Sequence, residues 1–431
     1  MATSCLSRKT VNEAASTDAL RSWPPSPVFV EAQGCRLLSR SGEEYFDGTG
    51  GSGAVNLGHQ HPRVVAAIIQ QCQKLTHTGW NLHSQVRGEL VQELGAFAPY
   101  QDCAVLFTVT GTEAIEAALK VARAHTGRET VIAFDRSYHG KTAGSLLVTW
   151  REWFRKHSPV APDAVRFAPF PLLHLPGPAG QPEYCLEALQ NLVEGACVAG
   201  CPPAALILEP IQAAEGILPG GRDFLAGVFQ VARGYDSLVI FDEIYTGFGR
   251  CGTPFYGSRK GLTPDLLVVG KSLGNGLPIS AVLGPSGVLN ALPPGFHTST
   301  FAGQPLACRA ALAVLEVMEQ EKPWQQAAAL GRRVFAFLKG QEDRGGFISG
   351  VRGEGLMLGF DCVDPGGRPS SRLSRAFVEA ALARGLVLRC GGFTGATVKL
   401  TPPLIMAPEE VDFLLAALAQ TIAAIGERQG A

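Results

Sequence analysis

Residues 265–278 read DLLVVGKSLGNGLP. The opening, DLLVV, has the form of a buried strand: a short, continuous apolar run closed by glycine. A lysine, Lys271, follows that glycine directly, and Gly274 and Gly276 come soon after. A charged amine at the end of a buried strand needs a reason. GKS could be the tail of a P-loop, G-x-x-x-x-G-K-[ST]. That loop needs a glycine at position 265, where aspartate stands, so a nucleotide-binding enzyme is disfavoured. The plain alternative is a surface lysine, and the rest of the chain decides between the two.

Outward from this stretch the same rhythm repeats. CAVLFTV, TVIAF, AALILEP, SLVIFDE, DLLVVG and ISAVLG are short apolar runs between about 100 and 285, separated by helical patterns. Near-continuous apolar strands alternating with helices predict a mostly parallel sheet covered on both faces, an α/β fold. Upstream, VFVEAQGCRLLSRSGEEYFDG alternates like a hairpin, after a polar lead-in over residues 1–25. Beyond about 310 come two amphipathic helices, ACRAALAVLEVMEQ and QQAAALGRRVFAFLKG. Strand-like GVRGEGLMLGFDC, GLVLRCGG and TVKLTPPLI follow, with a closing helix near 408–425. The expected division is a large domain over 76–310 and a smaller α+β domain built from both chain ends, 1–75 and 311–431.

The bulk composition fits an enzyme-like globular chain. Of 431 residues, 46% are hydrophobic and 17% charged, with a net charge of −1. That balance carries no electrostatic footprint for nucleic acid or an anionic membrane. No apolar run reaches the roughly 18–20 residues that a membrane span needs. The N-terminus lacks the apolar core of a signal peptide. The eleven cysteines are scattered, with no C-x-x-C pair, so neither a disulfide framework nor a metal site is expected. Reduced thiols fit a cytoplasmic protein.

In open α/β sheets ligands sit beyond the carboxyl ends of the strands. In VLFTVTGTEAIEAALKVARAHTG a strand gives way to Thr110, Gly111 and Thr112 at a helix start. Ile115, Ala118, Leu119 and Ala122 make one apolar stripe, and Gly127 suits the C-cap. Free N–H groups, hydroxyls and the positive end of the dipole make that start an anion site, though a plain N-cap would look the same. TVIAFDRSYHG presents Tyr138 and His139 after a strand. AALILEP ends in Glu209, and SLVIFDE in Asp242 and Glu243. Buried carboxylates are costly unless paired, so Glu209, Asp242 and Lys271 are expected to converge on one cleft. A desolvated lysine there suits Schiff-base chemistry. A phosphate site, an aromatic plate, a buried aspartate and a nucleophilic lysine are together the requirements of pyridoxal 5′-phosphate.

At this point the chain resembles the fold-type I, class III aminotransferases of the ornithine/4-aminobutyrate group. YFDGTGGSGAVNLGHQHP, VTGTEAIEAALKVAR, YHGKT, EPIQ, DEIYTGFGR, GKSLGNGLP and TSTFAGQPLAC follow in family order, covering roughly residues 25–425. The resemblance implies that Lys271 is the Schiff-base lysine and proton shuttle, and Asp242 the partner of the pyridinium nitrogen. It implies that Gly111 and Thr112, next to Thr110, form the phosphate loop. Tyr138 and Ile244 would flank the cofactor ring. Thr300 would reach the phosphate from a neighbouring subunit, which implies a homodimer with shared active sites. Glu209 would lie near the cofactor, with His139, His59 and His61 structural.

The departures from the family concern the substrate. An arginine that grips a carboxylate in many members is Lys141 here, and the arginine usual before PPL is Lys399. A lysine is a point charge rather than a planar fork, so bidentate carboxylate binding is in doubt. Tyr245 stands where a glutamine is frequent, at a position expected to help bind the cofactor. Ser52 and Gly53 replace a bulky aromatic and are expected to leave room for a large substrate. Trp80 matches an aromatic at the mouth of the site or an interface residue. These features point to an unusual amine, such as a diamine, an amino sugar or a diamino acid like 2,4-diaminobutyrate. The leading expectation is ping-pong transfer of an amino group from a donor such as L-glutamate to a carbonyl compound, with an oxo acid as co-substrate. A racemase, mutase or phospho-lyase would use the same lysine and aspartate and stays open. A non-catalytic binding protein would be expected to lose one of them.

Overall fold

The structure, a computed structural model, describes residues 27–156 and 164–430, so the lead-in read over residues 1–25 lies outside the described residues. Its centre is a sheet of seven strands: β1 (Cys103–Thr108), β2 (Thr130–Phe134), β3 (Val165–Ala168), β4 (Pro203–Leu208), β5 (Leu238–Asp242), β6 (Leu266–Val269) and β7 (Ser280–Pro285). They lie in the order β1-β7-β6-β5-β4-β2-β3. All run parallel except β7, which is antiparallel to both β6 and β1. Six of these strands coincide with the six apolar runs of the sequence. The seventh, β3, reads VRFA: four residues at the sheet edge, too short to announce itself by pattern.

The continuous apolar runs are explained by burial on both faces. Alternate residues of one strand enter different layers. Val131 and Ala133 pack with the helix Gly111–Thr126 through Ile115, Ala118 and Ala122. Ile132 and Phe134 join the opposite layer with Leu189, Val193 and Phe224 of the helices Pro182–Val198 and Arg222–Gly234. Each fully buried valine, leucine, isoleucine or phenylalanine among them contributes about 1.5–3 kcal/mol, each alanine about 0.8 kcal/mol. The helix Gly111–Thr126 is bounded as its sequence suggests. A capping box, in which Thr110 and Glu113 bond each other's backbone N–H, closes its start, and left-handed Gly127 (φ 67) closes its end.

Outside this layer, strands Ile348–Glu354, Met357–Cys362, Thr397–Leu400 and Arg389–Gly391 form an antiparallel sheet. The upstream segment is a three-strand meander, Phe29–Gln33, Arg36–Ser39 and Glu44–Asp47, one strand longer than a hairpin. Leu386–Val387 pairs parallel to Phe46–Asp47, tying the two ends of the chain together. No helix among the described residues is long and apolar enough to cross a membrane. Because β1, β2, β4, β5 and β6 all point one way, the residues after each of them emerge along a single sheet edge.

Candidate active site

Lys271 leaves β6 through a tight passage. Gly270 is extended, and a Cβ on it would sit 2.5 Å from Ser280 Oγ, so the crossing past β7 requires glycine. Lys271 itself has φ 42, in the left-handed region that L side chains rarely occupy, and it is held there by the packing around it. Its Nζ lies 4.2 Å from the centre of the Tyr245 ring. Burial pushes its amine below the ordinary lysine range, and the nearby charges of Asp242 and Glu209 oppose that.

Asp242 ends β5, nearly buried at 5% exposure. Its Oδ2 is 2.7 Å from His139 Nδ1, and its Oδ1 accepts the Ile244 N–H at 3.1 Å. The other ring nitrogen, His139 Nε2, is buried and has no hydrogen-bond partner among the described residues. Glu209, beyond β4, accepts the N–H of Tyr138 at 2.9 Å and of Ala213 at 3.0 Å. Burial pushes its carboxyl up to about 7; His139 and the two N–H groups pull it down, and Asp242 adds to the rise. Glu243 serves a different purpose. It accepts the N–H of Tyr256 at 2.6 Å and of Gly257 at 2.9 Å, and burial pushes it up to about 7 as well.

The helix Gly111–Thr126 starts in the same space, and its first N–H groups have no acceptor within the helix. A Cβ on Gly111 would lie 2.7 Å from Ile244 Cδ1, so glycine lets Ile244 settle against the helix. The Thr112 hydroxyl is 2.8 Å from that of Thr142 and 2.6 Å from that of Ser145. Thr110 does not face this space; its hydroxyl caps the helix by accepting the Glu113 N–H at 3.3 Å.

One cavity of about 910 Å³ gathers these groups: Lys271, Asp242, His139, Glu209, Gly111, Thr112, Tyr138, Ile244 and Tyr245, together with Ser52, Lys141 and Lys399. Gly53, Trp80 and Thr300 do not line it. The room expected at Gly53 is already filled, because a Cβ there would lie 2.3 Å from Tyr245 Cε1. Trp80 is half exposed, on a segment fastened by Arg87, which donates to the carbonyls of Gly79, Leu82 and Gly303.

The two substituted lysines differ in setting. Lys141 is exposed, with Nζ 4.3 Å from the Phe154 ring centre. Lys399 turns its Nζ to the carbonyls of Ala213, at 3.3 Å, and Ala214, at 3.0 Å. Burial pushes its amine down to about 8, Glu215 raising it and Arg389 lowering it. Sequence reasoning missed both guanidinium groups that line this cavity, Arg151 and Arg389. Arg151 donates from Nε and Nη2 to the two carboxylate oxygens of Glu215, at 2.8 and 2.6 Å, and from Nη2 to Gly392 O at 2.7 Å. Its only sequence signal was a charge in TWREWF, a segment with no family motif. The loop carrying Glu215 is held from behind by Arg352, which donates to Gly216 O at 2.9 Å and pairs with both oxygens of Asp361.

These residues fit pyridoxal phosphate. A helix start freed by Gly111, an acidic acceptor at Asp242, an orphaned His139 nitrogen and a desolvated lysine share one cavity sized for a cofactor and a small substrate.

Comparison with known proteins points the same way. The family described as class-III aminotransferase matches residues 21–422. The 5-aminovalerate aminotransferase of Pseudomonas putida is 34% identical over 93% of this chain and 94% of its own. The acetylornithine aminotransferase of Methanothermobacter thermautotrophicus is 32% identical over 92% and 93%. Among solved structures, a PLP-bound amine transaminase from an uncultivated Pseudomonas species superposes with a TM-score of 0.87 at 27% identity, covering 96% of this chain and 98% of that one.

Proposed function

The chain belongs to the class-III aminotransferases and is a pyridoxal phosphate-dependent aminotransferase; from that premise we propose how its own residues divide the task. Lys271 is the residue that links to the cofactor, and its Nζ carries the proton to and from the substrate α-carbon. Bound pyridoxal phosphate supplies an electron sink for the pair left when that proton departs. Asp242, oriented by His139, holds the ring N–H. Gly111 and Thr112 hold the phosphate, and Tyr138 and Ile244 bracket the ring. The observation that carries this reading is the convergence of Lys271, Asp242 and the helix start at Gly111 on one cavity, from three separate strand ends. The relatives compared are aminotransferases, and no feature of the cavity favours a racemase, mutase or phospho-lyase instead.

The amino donor we propose is L-glutamate, exchanged by a ping-pong route for a carbonyl acceptor. Two guanidinium groups line the cavity, Arg151, which Glu215 holds until a substrate carboxylate displaces it, and Arg389, and they offer the donor's carboxylate the planar fork that Lys141 and Lys399 cannot. We further propose a homodimer. Trp80, Leu82 and Phe301 are more than half exposed, and the His77 ring lies 5.0 Å from that of Phe301, so the segments around 80 and 300 present one apolar face suited to a second copy. In that assembly Thr300 would reach the partner's site. The pairing of Leu386–Val387 with Phe46–Asp47 supports assigning both chain ends to one small domain. A cytoplasmic location fits the reduced cysteines.

The test is the absorbance spectrum of the purified protein. A yellow band that moves to the near-ultraviolet on adding L-glutamate without an acceptor is the expected result. Lys271→Ala should lack the yellow band and all turnover. A yellow, active Lys271→Ala protein would overturn the assignment, and a band indifferent to glutamate would overturn the donor.

A further inference from the structure

Tyr245 occupies a place built for it. Its ring fills the space that Gly53 vacates, where even a methyl group would come within 2.3 Å of Cε1. Its hydroxyl is 3.1 Å from Thr401 Oγ1, and Thr401 in turn donates to Thr49 O at 2.9 Å. Clearance on one side and an anchor at the tip fix the ring plane. The ring face then meets Lys271 Nζ, 4.2 Å from the ring centre. Glycine at 53 and tyrosine at 245 are thus one arrangement, and what they place is an aromatic face on the reactive nitrogen.

We propose that Tyr245 is a further residue of the catalytic centre, whose ring stabilises the positively charged form of the Lys271 nitrogen. The negative face of an aromatic ring attracts a cation and is indifferent to the neutral amine. It therefore shifts the balance between a nitrogen that carries a proton and one that can release it. Asp242, from the end of β5, and Glu209, from beyond β4, face the same nitrogen and act in the same direction. Burial acts against all three. Burial raises the Tyr245 phenol above its usual range, Asp47 adds to the rise, and the Thr401 hydrogen bond, Arg250 and Arg389 oppose it, so the phenol is neutral at physiological pH. The phenol is a fixed dipole and anchor, and the ring is the active part. This inference rests on Lys271 being the cofactor-linked lysine.

The experiment is a spectroscopic pH titration of the holoenzyme, following the yellow absorbance of the Lys271-linked cofactor, for wild type, Tyr245→Phe and Tyr245→Leu. Leucine keeps the site apolar and removes the ring face. Its titration midpoint should fall by about half to one and a half pH units, the range a desolvated cation–ring contact supports. Phenylalanine keeps the face and should titrate within about a third of a unit of wild type. A Tyr245→Leu midpoint equal to wild type overturns the proposal. So does a Tyr245→Phe shift as large as that of leucine, which would assign the effect to the hydroxyl. If Tyr245→Leu fails to fold, Tyr245→Met, an unbranched apolar side chain that also lacks a ring, should lower the midpoint in the same direction, and an unmoved midpoint overturns the proposal. Failure of the underlying assignment looks different, because the yellow band would then survive in Lys271→Ala.

Discussion

Glu215→Gln is the change that most directly tests how the cavity takes a carboxylate. Glu215 is 4% exposed and grips Arg151, 31% exposed, through two charge-assisted hydrogen bonds of 2.8 and 2.6 Å. Exposed pairs are worth about 0–1 kcal/mol, and breaking a buried pair costs about 3–5 kcal/mol. This half-open pair falls between, at about 1–3 kcal/mol. A substrate carboxylate that takes the Arg151 fork must first displace Glu215 and overcome that attraction. Glutamine keeps the shape and one acceptor but removes the charge. KM for an oxo acid should therefore fall about 5- to 150-fold, the equilibrium equivalent of that energy. There is an opposing consequence. Glu215 supports the charge on Lys399, whose amine already sits at about 8, so the variant should lose part of its benefit as pH rises through 7 toward 8. The assay is the acceptor half-reaction at pH 6.5 and pH 8, run with an oxo acid and with a carboxylate-free carbonyl compound. An unchanged KM for the oxo acid, or an equal drop for both compounds, would show that Arg151 is not the carboxylate receptor.

Two predictions concern what holds the site in place. Arg352→Met strips Asp361, 17% exposed and still bonded by the Thr397 hydroxyl, of its bidentate partner and should cost about 2–4 kcal/mol in urea unfolding. Adding Asp361→Asn should recover part of that loss, and strict additivity of the two changes would refute the pairing. Glu243, raised by burial from 4.5 to about 7, favours the fold in its protonated form, so its contribution is present below about pH 4.5 and is lost as pH rises through about 7. The stability of Glu243→Gln relative to wild type should accordingly rise between pH 4.5 and 7 and flatten above. A flat difference across that window would mean that the carboxyl titrates normally.

The architecture was largely legible in advance because its signals are local. A strand buried on both faces is apolar nearly throughout, as TVIAF is, and a helix start carries its capping residues beside it, as Thr110 and Glu113 do. The edge strand Val165–Ala168 escaped because a four-residue run interrupted by Arg166 carries too little pattern. Lys141 and Lys399 were paired in the sequence reading as substituted arginines, yet one sits over an aromatic ring and the other on two carbonyls.

The order of apolar runs and strand-end residues was therefore enough to determine an α/β sheet, its carboxyl edge, and the cofactor that Lys271, Asp242 and Gly111 imply. Tertiary structure alone decided the rest. It seated Arg151 on Glu215, 64 residues away, it filled the space at Gly53 with Tyr245, and it turned Lys399 toward Ala213 and Ala214. The reason is physical. Periodicity and caps follow from forces between near neighbours in the chain, and so are written in the order of residues. Which loop side chains meet across the cavity depends on how distant segments pack, and their shape and charge match exists only once the sheet has brought its strand ends together.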